Sequence, residues 1–320
     1  NKSDIGMDLA FDFTSFRSFG NFIDSVRMVA ELSDTEVNMS DIGFFAPSLS
    51  DMDNGIAVAG KIKGKVSDMK ASPFRFSYGN ETSFAGSISL DGLPEIEETF
   101  VHLSINQMTT SMEDVQTIRL PGNGQYISLP APVEKFGRVE LTGKFTGFYN
   151  DFVSYGDFDT ELGDLSTDIM LKLNKKEEFI YNGKLNADGF DIGAIANAGD
   201  VLGKMDLQMK LNGKGLSAET ADIEMEGVVD SLVFYDNLYN SIQLSGKFEN
   251  QSFVGNVSMD DEKILLDFNG MLDFGNAVPR YNFTAGIEDA NLAALNLVDA
   301  DSAVMFSTQL AINAIGSDPD

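Results

Sequence analysis

The residues able to do chemistry are few and poorly grouped. The chain has one histidine, His102, and no cysteine. In Phe100-Val101-His102-Leu103-Ser104-Ile105, alternation puts His102 on the side of Ser104, facing solvent. A single histidine without thiolates cannot build a zinc centre, and no Ser-His-Asp order presents itself. There is no P-loop, no G-x-G-x-x-G after a strand and no G-x-S-x-G. Asp51-Met52-Asp53-Asn54-Gly55 approaches a calcium loop, but its glycine comes one place early and its twelfth residue is Ile62. It reads as a turn. Glu95-Ile96-Glu97-Glu98 and Asp260-Asp261-Glu262 read as solvated loop charge. None of the 50 acidic residues has an apolar setting that marks it as a proton donor for glycoside hydrolysis. The expectation is a non-enzymatic protein with no catalytic residue, no metal and no cofactor.

Charge narrows the partners. Fifty acidic against 22 basic residues leave a net charge of −28 over 320 residues. Such a surface repels phosphate backbones, so nucleic acid is not a partner, and it opposes adsorption to an anionic membrane. No window approaches 18 apolar residues, so no helix spans a bilayer. Hydrophobic residues make up 43%, enough for a core. The chain has 25 phenylalanines and 14 methionines but no tryptophan, a mixture that suits an adaptable apolar surface as well as a β core. The amino-terminal stretch lacks the build of a signal peptide, and both ends read as interior to a longer chain.

The elements that must position these side chains are strands. Ile5, Met7, Leu9, Phe11 and Phe13 alternate with small or acidic residues. So do Met205, Leu207, Met209 and Leu211, then Ile223 and Met225, then Ile242, Leu244 and Phe248, then Tyr281, Phe283 and Ile287. Residues i and i+2 of a strand share a face, so each strand has one apolar side, as antiparallel sheets allow. Asn182-Gly183, Asn212-Gly213 and Asn269-Gly270 read as hairpin turns, as do Asp53-Asn54-Gly55, Asp91-Gly92, Asp188-Gly189 and Pro121-Gly122-Asn123-Gly124. The count is 17 to 21 strands. Gly-Lys recurs seven times, several times in mid-alternation, where glycine marks a bulge or sharp curl.

Helices are short. Phe16, Phe19, Ile23 and Val26 form one stripe within 16–29. Thr110 and Glu113 form a capping box ahead of a helix over 110–118. Ile192, Ile195 and Leu202 predict a short helix that plugs the end of a curled sheet, and Leu292, Leu295 and Val298 predict another. The fold expected is all-β, mainly antiparallel, an elongated sheet folded lengthwise into a groove, with segments 1–150 and 151–320. About 20 strands make a ribbon ~95 Å long. A dry core and an open groove differ in one respect. A charge at Met209 unfolds the first, and water reaching the site lets the second survive.

From Asp151 onward the wording of the sequence resembles a known family. Thr160-Glu161-Leu162-Gly163-Asp164-Leu165, the Tyr181-to-Leu185 strand before Phe190-Asp191-Ile192-Gly193, the Leu202-to-Leu207 strand running into Gly213-Lys214-Gly215, and Asp289 to Leu297 carry the likeness. They resemble the AsmA-like proteins of Gram-negative envelopes, and among them the TamB group of Bacteroidota. The first 150 residues are similar more loosely. The resemblance implies long sheets folded into an apolar groove, in the periplasm, within a protein anchored in the inner membrane and reaching the outer one. It implies phospholipid acyl chains as cargo, a role in outer-membrane protein assembly, and a BamA-like barrel as partner through regions outside this segment. The groove lining then falls to Met205, Leu207, Met209, Leu211, Ile223, Met225, Leu244, Phe248 and Phe283. The alternative is a structural or adhesive β-sandwich of the envelope or cell surface.

Overall fold

The structure is a computed structural model that describes residues 2–43, 50, 53–119, 124–129, 131–174, 178–215, 217, 219–298 and 302–316. The chain divides into two compact units, Asn1–Glu161 and Leu162–Asp320. The fold is all-β and antiparallel, with a few short helices. Among the described residues no helix is long and apolar enough to cross a membrane.

The first unit contains β1 (Met7–Asp12), β2 (Arg27–Asn38), β3 (Gly55–Lys65), β4 (Asp68–Tyr78), β5 (Thr82–Asp91), β6 (Phe100–Ser111), β7 (Arg138–Phe148) and β8 (Asp151–Thr160). Each pairs antiparallel with the next. The second contains β9 (Gly163–Leu173), β10 (Phe179–Asp191), β11 (Leu202–Lys214), β12 (Asp222–Phe234), β13 (Asn237–Glu249), β14 (Ser252–Asp261), β15 (Ile264–Asp273), β16 (Arg280–Asn291) and β17 (Met305–Ile315), again paired in sequence order. The division falls after β8, so the β7–β8 hairpin stays whole.

Three Asn-Gly pairs are not turns. Asn182-Gly183 lies inside β10, Asn212-Gly213 inside β11 and Asn269-Gly270 inside β15. The tight hairpins use Tyr235-Asp236 and Asn250-Gln251 instead, all four with positive φ, as a two-residue turn of matching twist requires. The Asp91-Gly92 and Asp53-to-Gly55 signals do fall at strand ends. Pro121 to Asn123 lie outside the described residues.

The helices are shorter than their sequence signals. The 16–29 segment is a 3-10 turn, Phe16–Asn21, followed by α1 (Phe22–Ser25), and β2 already begins at Arg27. Val26 is fully buried as the stripe predicts, but Phe16 is 84% exposed. The predicted Thr110–Glu113 box is displaced by one residue. Ser111 is the N-cap of α3 (Met112–Gln116), and its side chain accepts from the Asp114 amide. A short α4 spans Ala131–Glu134. The 289–299 signal gives no helix: β16 runs to Asn291 and turns follow. α2 (Met39–Ile42) has no counterpart in the sequence reading.

A repeated junction explains where α2, α3, the helical turn Ile192–Ala196 and the turns after β16 sit. Asn38, Ser111, Asp191 and Asn291 each end an even-numbered strand, and each side chain accepts from an amide two or three residues on. An apolar residue follows each cap and another comes three places later: Met39 and Ile42, Met112 and Val115, Ile192 and Ile195, Leu292 and Leu295. The cap satisfies an orphan donor of the first turn, and the apolar pair docks that turn on the strand end.

Candidate functional site: a continuous apolar sheet face

Antiparallel partners point to the same side, so the register lists which residues share a face. In the second unit one row runs Leu185, Met209, Gly227, Leu244, Val257, Phe268, Ala285, Leu310 across β10 to β17. The next runs Gly183, Leu211, Met225, Gly246, Gly255, Gly270, Phe283, Ile312. A third runs Tyr181, Gly213, Ile223, Phe248, Phe253, Leu272, Tyr281, Ala314. On the same face, flanking the first row toward the other strand ends, lie Ala187, Leu207, Val229, Ile242, Met259, Leu266 and Ile287, then Phe190, Met205, Leu232 and Tyr239. These five rows contain no charged residue. They bring all nine predicted lining residues, Met205, Leu207, Met209, Leu211, Ile223, Met225, Leu244, Phe248 and Phe283, onto one face. The opposite face carries Lys184, Lys210, Glu226, Asn256, Asn269 and Thr284 in a single row.

Cover is uneven. Met209, Val229 and Ile242 are buried, and Met205, Leu207, Leu211, Met225, Leu232, Tyr239, Leu244, Val257 and Met259 pack against them while remaining half-exposed. All these neighbours come from β11 to β14, the same layer. Met209 is only 8% exposed, so the sequence-based use of a charge at this position to tell core from groove fails: an acid there meets packed side chains in either case. Leu211 and Leu244 are the half-open positions that keep the test.

The helix-plug trio separates. Ile192 and Ile195 lie in α5 (Ile192–Ala196), half-buried next to the start of β11, whereas Leu202 is the first residue of β11 and pairs with Phe234. Asp191 caps α5, and Asn197 closes it in the left-handed conformation.

The first unit repeats the arrangement with more aromatic character. Leu9, Ala30, Ile62, Ala71, Ile88, Leu103 and Phe145 form one row. Val58, Phe76, Phe84, Met108, Leu141 and Phe158 form another, in which the Phe76 and Phe84 rings stack at 5.2 Å. Between these two runs Gly60, Phe74, Gly86, Ile105, Gly143, Gly156. At the β1 end Phe11, Phe13, Phe16, Phe19 and Phe22 cluster, with ring centroids 4.8 to 6.4 Å apart.

Several carboxylates tie strand ends together. Asp114 is 6% exposed and accepts from the amides of Asn80, Glu81 and Thr82 and from the Thr82 hydroxyl. Burial pushes its pKa up, but these donors outweigh it and hold the group below the ordinary carboxylate value. Gly79 is required beside it, because φ is +61° and a Cβ would meet the Asp114 carboxylate. Asp261 accepts from the Asn240 amide and side chain and from the Lys263 amide, which makes it a hairpin tie. The Ser231 hydroxyl and the Gly189 amide hold Asp206 below its usual value. Among the described residues no three His, Asp or Glu side chains gather in a metal-binding arrangement. Asp51 lies outside the described residues. His102 is exposed, with Nδ1 2.9 Å from the Thr146 hydroxyl.

Comparison with protein-family models, curated proteins and solved structures gives no match.

Proposed function

We propose that this chain is a non-enzymatic segment of an AsmA-like, TamB-type envelope protein, and that its apolar sheet face carries phospholipid acyl chains toward the outer membrane. One observation carries the reading. Eight consecutive strands of one unit, β10 to β17, present uncharged rows of Leu, Met, Phe and Gly whose members are mostly half-exposed. A folded soluble domain normally covers such a face, because each exposed large apolar side chain forgoes about 1.5–3 kcal/mol of burial. An acyl chain lying across the rows supplies that cover and leaves again without disturbing backbone pairing. Methionines at Met205, Met209, Met225 and Met259 suit a cargo of variable shape. The polar row on the other side stays in water. A role in outer-membrane protein assembly and a barrel partner belong to the same reading, through parts of the protein outside this segment.

The test is site-specific photo-crosslinking in cells. A crosslinking side chain at Leu211 or Leu244 is expected to capture phospholipid, and one at Lys210, on the opposite face, is not. Capture of protein alone at Leu211 and Leu244, or equal lipid capture at Lys210, overturns the reading.

A further inference from the structure

The polar face of the first unit holds a feature that an acyl-chain groove does not use. β3 and β4 carry Lys61, Lys63, Lys65, Lys70 and Arg75 against a single acid, Asp68, in a chain of net charge −28. The register sets Lys63 directly opposite Lys70. Directly opposed like charges destabilise a sheet unless something intervenes. The row through this pair runs Val29, Lys63, Lys70, Ser89, His102, and contains no carboxylate.

The second unit shows the ordinary solution to the same problem. There Lys184 stands opposite Lys210, and the row runs Asp168, Lys184, Lys210, Glu226, so each ammonium has an acid on its other side. In the first unit the nearest acids serve elsewhere. Glu31 lies 3.6 Å from Lys61, and Asp68 and Asp91 stand opposite one another in the adjacent row beside Lys65. Among the described residues neither Lys63 nor Lys70 has an ion-pair partner.

We propose that Lys63, Lys70, Ser89 and His102 form a binding site for a phosphate group. Adjacent strands lie about 4.8 Å apart, so the four side chains stand in a line ~14 Å long. The flexible lysine stems let both ammonium groups lean over Ser89. The Ser89 hydroxyl adds a donor. The Thr146 hydroxyl holds one nitrogen of the sole histidine, which leaves Nε2 for the ligand. Two ammonium groups and two further donors match a phosphate better than a single carboxylate. Glu31, Asp68 and Asp91 surround the pair and oppose a broad anionic surface, so the ligand is a compact group, either free phosphate or a phosphomonoester headgroup. The site lies on the face opposite the apolar rows and does not rest on the lipid-groove reading.

Because His102 is the only histidine, its labelled imidazole is an unambiguous NMR reporter in the full chain. Titration with inorganic phosphate at constant ionic strength is expected to move the His102 signals to saturation. Lys63→Gln/Lys70→Gln is expected to weaken binding by about tenfold per lysine, and Lys184→Gln/Lys210→Gln to leave it unchanged. In parallel, sedimentation with phosphatidic acid vesicles, against phosphatidylcholine vesicles, separates the sources. Vesicle binding lost in the Lys63/Lys70 variant assigns a lipid headgroup, and saturable phosphate binding without vesicle binding assigns a soluble phosphate. A linear His102 response, a response equalled by chloride, or one unchanged in the Lys63/Lys70 variant, together with no vesicle binding, overturns the site.

Discussion

The two units shape the same kind of apolar face by different means. In the first, pairing slips along one line across the sheet: between Leu32 and Thr35, Gly60 and Ile62, Ala71 and Phe74, Ala85 and Gly86, and Ile105 and Met108. The five slips come from three bulges, in β2, β4 and β6, each of which bends its strand and adds twist, and together they crease the sheet beside the Gly60–Gly156 row. Pro73 is tolerated inside β4 because it sits at such a slip, where no ladder bond is asked of it. In the second unit β12 to β15 pair from β12–β13 to β14–β15 nearly without interruption, and Gly246, Gly255 and Gly270 stand side by side instead. The Phe253 ring lies over Gly246 and Gly255, 2.7 Å from where their Cβ atoms would be. The register shifts of that unit fall toward its helix-bearing rim, at Ala187/Phe190, Leu202/Met205, Asp206/Leu207 and Ile287/Ala290. Alternation sets which residues line the face, then, and bulges or glycines set its curvature, and the two are separately adjustable.

Four pairs of substitutions test this comparison. Met209→Asp is expected to have the largest effect, because an unpaired carboxylate among Met209, Val229 and Ile242 costs several kcal/mol; loss of the cooperative thermal transition of the second unit is the readout, and Leu211→Asp is expected to stay folded. Asp114→Ala leaves three turn amides of the first unit unsatisfied and is expected to cost about 2–3 kcal/mol in denaturant titration. The Asp114 pKa is depressed in the folded state, so its contribution is present above the unfolded carboxylate pKa and lost as pH falls through the folded value. Asp114→Asn should therefore flatten the loss of stability below about pH 4. Gly255→Ala is expected to cost about 1–3 kcal/mol, since a Cβ there meets the Gly246 Cα at 2.7 Å, while Gly286→Ala, with nothing within 4 Å, is expected to be neutral or slightly stabilising. The smallest effect is Lys63→Gln, which removes a like-charge contact and should stabilise by about 0.2–0.5 kcal/mol; the same change at Lys184, bracketed by Asp168, should not.

Much of the fold was legible because a half-buried strand writes its face into every second residue. Met205, Leu207, Met209 and Leu211 name their side unaided, and pairing then aligns them with Met225, Leu244 and Phe283. The turns were less legible. Asn-Gly has the same letters in a hairpin and in a crease, since both need a backbone that a side chain obstructs, and only the partner strand tells them apart. Tyr235-Asp236 carries no such signal, yet it adopts positive φ because the flanking strands hold it there. The junction motif at Asn38, Ser111, Asp191 and Asn291 was present but unevenly spaced, so no fixed period exposed it. The row Lys63, Lys70, Ser89, His102 was invisible, because it runs across strands while a sequence is read along them.

Strict neighbour pairing has a further consequence. Within each unit no strand waits for a distant one, so ordering can start at any hairpin and spread along the chain as it emerges. Evolution can lengthen such a unit without rewriting it. Strands must be added two at a time, because a single extra strand would deliver the following capped turn to the wrong rim.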